Sequence, residues 1–498
     1  MIIMPIMHWR HDQIRHYDLS VFPVWLTLPA TPPFPGRCGG IFLPAETQPL
    51  RWFISIFTRE VPMSQDPTAA PSAIGQPPQS PQIRDTRPGL DRTARLVLIA
   101  AAVVVTISMG VRQAFGVFLT PVVAELGIGR EVFGFAIAVQ NLLFGLMQPF
   151  IGMIADRFGP SRVVLAGTAA YVAGLVLAAS TGSPTGLMVT LGVAVGFGLA
   201  GTSFVVVLGA VGRAVPEARR PQCFALVTAG GSFGMFAVVP GAYAMLDAFG
   251  WRDAILLLAI AASAMAAFGF ALDGARRRKP QGTAGVAPAP AAPSGADTLG
   301  KALHEAAHSG SFWLLALGFG VCGFQITFIG VHLPAYVGDV GIPGWVAAWA
   351  LGLIGACNIV GAYVLGSLGA HFRGRNMLVA IYTLRMIFVT AVVVLPPSAP
   401  LILAFAVLFG FTWLGTIPLT SGMVARIFGP RYLSTLYGVV FLSHQVGAFL
   451  GAWGGGYAYD LLGSYDAVWT AMAVISAIAA LLHLPISDRP VVRQPKAA

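Results

Sequence analysis

Five ionisable side chains stand inside stretches that are otherwise apolar: Arg112, Arg385, His332, His444 and, near the end of its run, His483. The twenty Asp and Glu residues can all be placed outside those stretches or at their ends. A guanidinium in an apolar medium keeps its proton, and burying that charge costs several kcal/mol unless it is paired or faces water. With no embedded carboxylate, Arg112 is left with helix carbonyls and a visiting anion as partners. A carboxylate fits its planar fork in two parallel hydrogen bonds. The competing reading is an arginine that packs helices or snorkels to an interface. A displacement of 213 residues carries Arg112 onto Gln325, which would face it as a neutral donor, and Asn358 is the strongly polar residue in the middle of its run. Arg112, Gln325 and Asn358 are therefore the candidate substrate contacts. His332, two residues before Pro334, and His444, followed by Gln445, are the candidates for a coupling proton, because imidazole exchanges protons near neutrality. Either reads equally well as a packing histidine. One proton moving with one monoanion would keep the cycle electroneutral. Arg385 is expected in a structural or lipid-facing role. Gln140 and Asn141 either line a cavity or bond between helices.

Three spacings imitate enzymes. His304-Glu305-Ala-Ala-His308 has the H-E-x-x-H form, but no third ligand or supporting acid follows nearby, as a zinc site requires. Gly230-Gly-Ser232-Phe-Gly234 fits G-x-S-x-G, and Gly196-Phe-Gly198-Leu-Ala-Gly201 fits a dinucleotide fingerprint. Neither follows a strand, which both mechanisms need. They read as glycine faces for helix packing, as does Gly447/Gly451/Gly455. Cys38, Cys223, Cys322 and Cys357 have no metal or redox spacing. No metal, cofactor or catalytic residue is expected, and no enzyme.

The elements that must carry these residues follow from composition. The 498 residues are 56% hydrophobic and 10% charged, against about a quarter charged in a soluble domain. Apolar runs of about 20 residues cross a bilayer as helices. Twelve such spans are read at 96–119, 131–154, 162–181, 185–212, 222–246, 252–272, 311–336, 344–368, 376–395, 400–425, 434–459 and 466–486. The fold class is an all-α membrane protein, with twelve transmembrane helices in two pseudo-symmetric six-helix bundles, residues 94–272 and 309–487. A linker at 273–308 joins them, and a tail follows at 488–498. Basic residues should gather in short cytoplasmic segments. They do so at Arg84 to Arg95, Arg157/Arg162, Arg213/Arg219/Arg220, Arg276 to Lys279, Arg373/Arg375, Arg426/Arg431 and the tail, which places both termini in the cytoplasm. The net charge of +10 is then topology, not a nucleic-acid partner. Residues 1–93 are a disordered N-terminal region, proline-broken to residue 62 and rich in Pro, Ser and Gln beyond it. The hypothesis that Met63 is the true start would be sunk by peptides before it in the native protein.

The halves repeat. The 213-residue shift puts Pro121 on Pro334, Arg213 on Arg426, Gly234 on Gly447, Asp247 on Asp460, Gly250 on Gly463 and Asp253 on Asp466. Such a duplication implies a substrate site near the midplane, exposed alternately to each side. Between two of the spans stands Gly152-Met-Ile-Ala-Asp156-Arg157-Phe-Gly159-Pro-Ser-Arg162. It is similar to the G-x-x-x-D-R-x-G-x-x-R loop of the major facilitator superfamily, and the resemblance covers about residues 94–487. The resemblance implies that Gly152, Asp156, Arg157, Gly159 and Arg162 form a gating loop; a turn that only ends the helix is the alternative. Its second-half counterpart, Gly366 to Arg375, lacks the acid. Gly110-Val-Arg112-Gln-Ala-Phe115-Gly, Gly250-Trp251-Arg252 and Gly463-Ser464-Tyr465-Asp466 resemble bacterial relatives of monocarboxylate transporters and oxalate/formate antiporters. The Asp/Arg pair typical of span 8 in monocarboxylate carriers is missing. The function implied is secondary transport of a small organic anion, a monocarboxylate by preference, by alternating access with a coupling proton or counter-anion. The partners are that anion, its co-ion and the lipid of the inner membrane, and the carrier is expected as a monomer. Proton-driven efflux of lipophilic compounds and a transporter-like membrane sensor are the other readings.

Overall fold

The computed structural model describes residues 90–491 apart from 217–218, 276–297, 370 and 430. The expectations for residues 1–89, Met63, Arg84 and Arg87 among them, for the Arg276 to Lys279 cluster and for the end of the tail lie outside the described residues. Among the described residues, eleven helical runs are long and apolar enough to cross a membrane. One of them, Arg220–Ala271, spans 52 residues and breaks at Gly250, where φ is 78° and ψ 170°. It counts as two, so eleven runs give the twelve spans. They are Arg92–Leu126, Arg130–Phe158, Pro160–Ser180 and Pro184–Ala214 for spans 1–4, and Arg220–Ala271 for spans 5 and 6. Spans 7–12 are Gly310–Asp339, Gly344–Leu368, Gly374–Val394, Ala399–Phe428, Leu433–Leu462 and Asp466–His483.

The repeat is visible in the backbone. Gly250 and Gly463 both take positive φ, 78° and 74°, at the turns between spans 5 and 6 and between 11 and 12. An L-residue with a side chain is strained there, so the D-x-x-G-x-x-D spacing marks a glycine turn in each half, with ψ differing at 170° and 2°. Elsewhere the repeat slips by one residue. Ser108 and Thr202 hydroxyls bond at 2.7 Å in the first bundle. Cys322 and Thr416 meet at 3.2 Å in the second. Each of those pairs is displaced by 214, not 213.

Spans 4 and 10 are both discontinuous at matching depth. Span 4 has a π-helical stretch, Met188–Ala194, and breaks between Gly201 and Phe204. Span 10 breaks between Thr412 and Thr416. A broken helix leaves carbonyl and N–H groups that must be met from elsewhere. In span 10 they are met by two side chains. Arg385, fully buried, donates to the carbonyls of Thr412 at 2.6 Å and Trp413 at 2.9 Å. Asn358 accepts from the Leu414 N–H at 2.9 Å. The lipid-facing alternative for Arg385 is thereby corrected: the arginine is an internal clasp on the broken helix.

Candidate functional site

Between the bundles, spans 1 and 2 meet span 7 around a cavity lined by Arg112, Gln113, Gln140, Asn141, Ile326 and Thr327, among others. Only about 20 Å³ of it is open to the centre of a water molecule, room for about one water. Arg112 is reached by neutral partners. Its guanidinium donates to Asn141 Oδ1 and to Gln113 Oε1 at 3.3 Å, and it lies 5.4 Å from the centre of the Phe144 ring. Its Nε is buried with no hydrogen-bond partner. Neutral acceptors do not balance a cation, and an N–H left over in a dry site is costly.

Asn141 is itself held by donating to the Ile137 carbonyl at 2.7 Å. Gln140 donates to the Leu191 carbonyl at 3.0 Å, in the π-helical stretch of span 4, where i→i+4 bonding is relaxed. Its Oε1 is buried and unpartnered. Polar capacity is thus stored on the span 2 side of the cavity.

The other predicted contacts lie elsewhere. Gln325 does not face Arg112: it is fully buried, donates to Ser476 at 2.5 Å and accepts from Arg385 at 3.1 Å. The one-residue slip explains the miss. At 3.6 residues per turn, a shift of one residue turns a side chain by about 100°, so Ile326 stands where Gln325 was expected. Asn358 ties the bundles together, donating to Ser232 of span 5 at 2.7 Å as well as capping Leu414. His332 bonds the Ala452 carbonyl through Nε2 at 2.7 Å and Tyr465 through Nδ1 at 3.0 Å. A carbonyl only accepts, so Nε2 carries the hydrogen and Nδ1 receives the phenol proton. Burial pushes the Tyr465 phenol up, which keeps it a neutral donor. Both nitrogens of His332 are therefore committed in the neutral ring. His444 differs: Nδ1 meets Gln445 Oε1 at 3.0 Å, while Nε2 is buried without a partner.

At one end of the molecule the bundles are clamped. Arg130 donates twice to Asp339, at 2.6 and 2.7 Å, beneath the Tyr459 ring 3.6 Å away. The N–H groups of Arg130 and Glu131 donate to the Asp460 carboxylate at 3.0 and 2.8 Å. This is a span 2 N-terminus binding an acid, as the helix dipole favours. At the other end, Asp156 accepts from Arg213 at 2.9 Å; Gly152 and Arg157 belong to the same helix end, Gly159 forms the turn at φ 97°, and Arg162 lies in the first turn of span 3. In the second bundle Arg426 matches Arg213, and the nearest carboxylate is Asp488 at 3.9 Å, from the segment after span 12.

The Major Facilitator Superfamily model matches residues 101–452 and, in a second match, 346–498. The chain is similar to Monocarboxylate transporter 13 of Rattus norvegicus, 26% identical over 78% of this chain and 88% of that one. It is similar also to the uncharacterized MFS-type transporter YcxA of Bacillus subtilis, 21% identical over 76% and 91%. Among solved structures, it resembles a bacterial homolog of the human lysosomal transporter Spinster in an inward-facing, unoccupied conformation. The TM-score is 0.63 at 16% identity, covering 79% of this chain and 97% of that one.

Proposed function

The chain belongs to the Major Facilitator Superfamily and is a transporter, not an enzyme; from that premise we propose that it carries a small organic anion, a monocarboxylate by preference, with Arg112 as the contact for the carboxylate. One observation carries this reading. A guanidinium between the bundles is bonded to two neutral amides and keeps a free, buried N–H. An entering carboxylate would supply the missing charge and a two-point acceptor. The relatives named as monocarboxylate transporters support the same substrate class. Asn141 and Gln113 hold the guanidinium ready when no anion is present. The cavity has room for about one water, so loading a carboxylate requires the bundles to part. In this reading the clamp of Arg130, Asp339 and Asp460 is the external gate, the Asp156 to Arg162 loop belongs to the cytoplasmic gate, and the protein is a monomer in the inner membrane with cytoplasmic termini. The co-ion is a proton or a counter-anion.

Uptake into proteoliposomes tests it. Formate, pyruvate, L-lactate, oxalate and a lipophilic cation are compared, with pH and membrane potential varied separately. Saturable uptake of a monocarboxylate, absent for the cation, is the expected result. Transport of the cation with no anion dependence would overturn the substrate class.

A further inference from the structure

His444 is more than nine-tenths buried, and its Nε2 has no oxygen or nitrogen partner, only the Cys322 thiol as a neighbour, a weak donor. Its Nδ1 meets Gln445 Oε1 at 3.0 Å. The Gln445 amide nitrogen donates across the seam to the Asn141 carbonyl at 2.8 Å, and Asn141 accepts from Arg112 through its side chain. These bonds fix the tautomer. The Asn141 carbonyl can only accept, so the Gln445 Nε2 must face it and Oε1 must face His444. His444 Nδ1 therefore bears the hydrogen, and the lone pair on Nε2 is met by nothing stronger than the Cys322 thiol. Resting on the anion-carrier reading above, we propose that His444 Nε2 is the site that takes the coupling proton, with Gln445 as the positioning residue that ties it to the Arg112 site.

The surroundings set the direction of coupling. From span 7 the ring is met by Phe319, with centroids 4.8 Å apart, and by the Cys322 thiol. From its own span come Phe441, stacked at 5.7 Å, and, through the same aromatic cluster, Tyr437, whose hydroxyl is buried without a partner. Span 2 reaches it through Asn141, whose carbonyl accepts from Gln445 of span 11. Behind Cys322, at 3.3 Å from its sulfur, lies the Arg385 guanidinium of span 9. The charged groups around His444 are thus two arginines, Arg385 and Arg112, and among these described neighbours there is no carboxylate. Both oppose a third positive charge. An anion on Arg112 cancels one of them, so anion binding favours proton uptake at Nε2. By linkage, the proton favours the anion equally. A proton added to the lone pair and a monoanion added to Arg112 leave the net charge unchanged, and release on the far side reverses both steps. The Nδ1–H···Gln445 bond survives protonation, so the seam contact is kept in both states. His332, with both nitrogens used in the neutral ring, has no equivalent vacancy.

L-Lactate in proteoliposomes is the probe, read in two ways: counterflow at equal pH, and accumulation driven by an acidic exterior. For His444→Gln, counterflow at saturating L-lactate stays within about twofold of wild type while pH-driven accumulation falls at least about tenfold. A variant that keeps both, or loses both while matching the wild-type melting midpoint, overturns the assignment. If His444→Gln does not fold, Gln445→Ala decides: accumulation falls with counterflow kept, and unchanged accumulation overturns it. Wild-type counterflow with no response to pH sinks this inference alone. Absence of wild-type counterflow sinks the carrier reading, and this one with it.

Discussion

A single arginine in an apolar run was enough to point at the cavity, because a fixed charge there demands a partner and the acids are all at the ends of the spans. Arg112 was legible for that reason. Gln325 was misread because the repeat slips by one residue around spans 7 and 10, and a helix turns that slip into a different face. Arg385 was half legible. Its charge stands out in the sequence, but Gly415 and Pro418 beside the break in span 10 are no signal, because both residue types are frequent in membrane helices, and nothing local points to the Thr412 and Trp413 carbonyls that it serves. Replacing it tests that role. Arg385→Leu strands two buried carbonyls and the Gln325 oxygen, which cost about 1–3 kcal/mol each to leave unpaired. The purified variant should melt well below wild type in detergent, while Arg385→Lys recovers part of the loss. An unchanged melting midpoint for Arg385→Leu would remove the clasp.

Helices in lipid associate through close packing rather than through burial from water, and the glycines of span 11 show how. A methyl group on Gly451 would collide with the backbone of Phe324 in span 7, whereas one on Gly454 would meet nothing within 4 Å. Gly451→Leu should therefore lower the melting midpoint by several degrees, and Gly454→Leu should leave it within about one degree. Equal effects would mean that span 11 is not seated on this face. The spacing of Gly447, Gly451 and Gly455 announced such a face in the sequence, as the D-x-x-G-x-x-D repeat announced the two sharp turns. The discontinuities of spans 4 and 10 did not show, because their residues, Thr202-Ser203 and Trp413-Leu414-Gly415, are ordinary within apolar helices. The breaks meet tertiary partners, Ser108 at the Thr202 hydroxyl of one and Arg385 and Asn358 at the backbone of the other. Local propensity carries no trace of those.

Among the described residues, the two helical bundles meet along a seam that Arg130 ties to Asp339 and Asp460. Arg130 is nearly buried, with its side chain 10% exposed, so loss of its partner weakens closure at that end. Asp339→Ala should shift the population toward an opening there, raising at least about fivefold the rate at which a membrane-impermeant maleimide, added from the Arg130 side, labels a cysteine at Thr327. The background would have its native cysteines replaced. A rate that does not change would show that the clamp is not a gate. The exposed Asp156–Arg213 pair is a smaller matter, since such pairs contribute roughly 0–1 kcal/mol. That the chain folds as two related bundles was legible from the repeat; the clamp at one end was not, because it depends on contacts between residues some 200 to 330 positions apart.

The central claim is that the charge Arg112 lacks is brought by the transported solute. L-Lactate counterflow in proteoliposomes containing wild type, Arg112→Lys or Arg112→Gln tests it most directly. Wild type should exchange the anion, Arg112→Lys should do so with an affinity weakened at least about tenfold, because a point charge replaces the fork, and Arg112→Gln should not do so at all. Exchange by a folded Arg112→Gln protein at the wild-type rate and affinity would contradict the account.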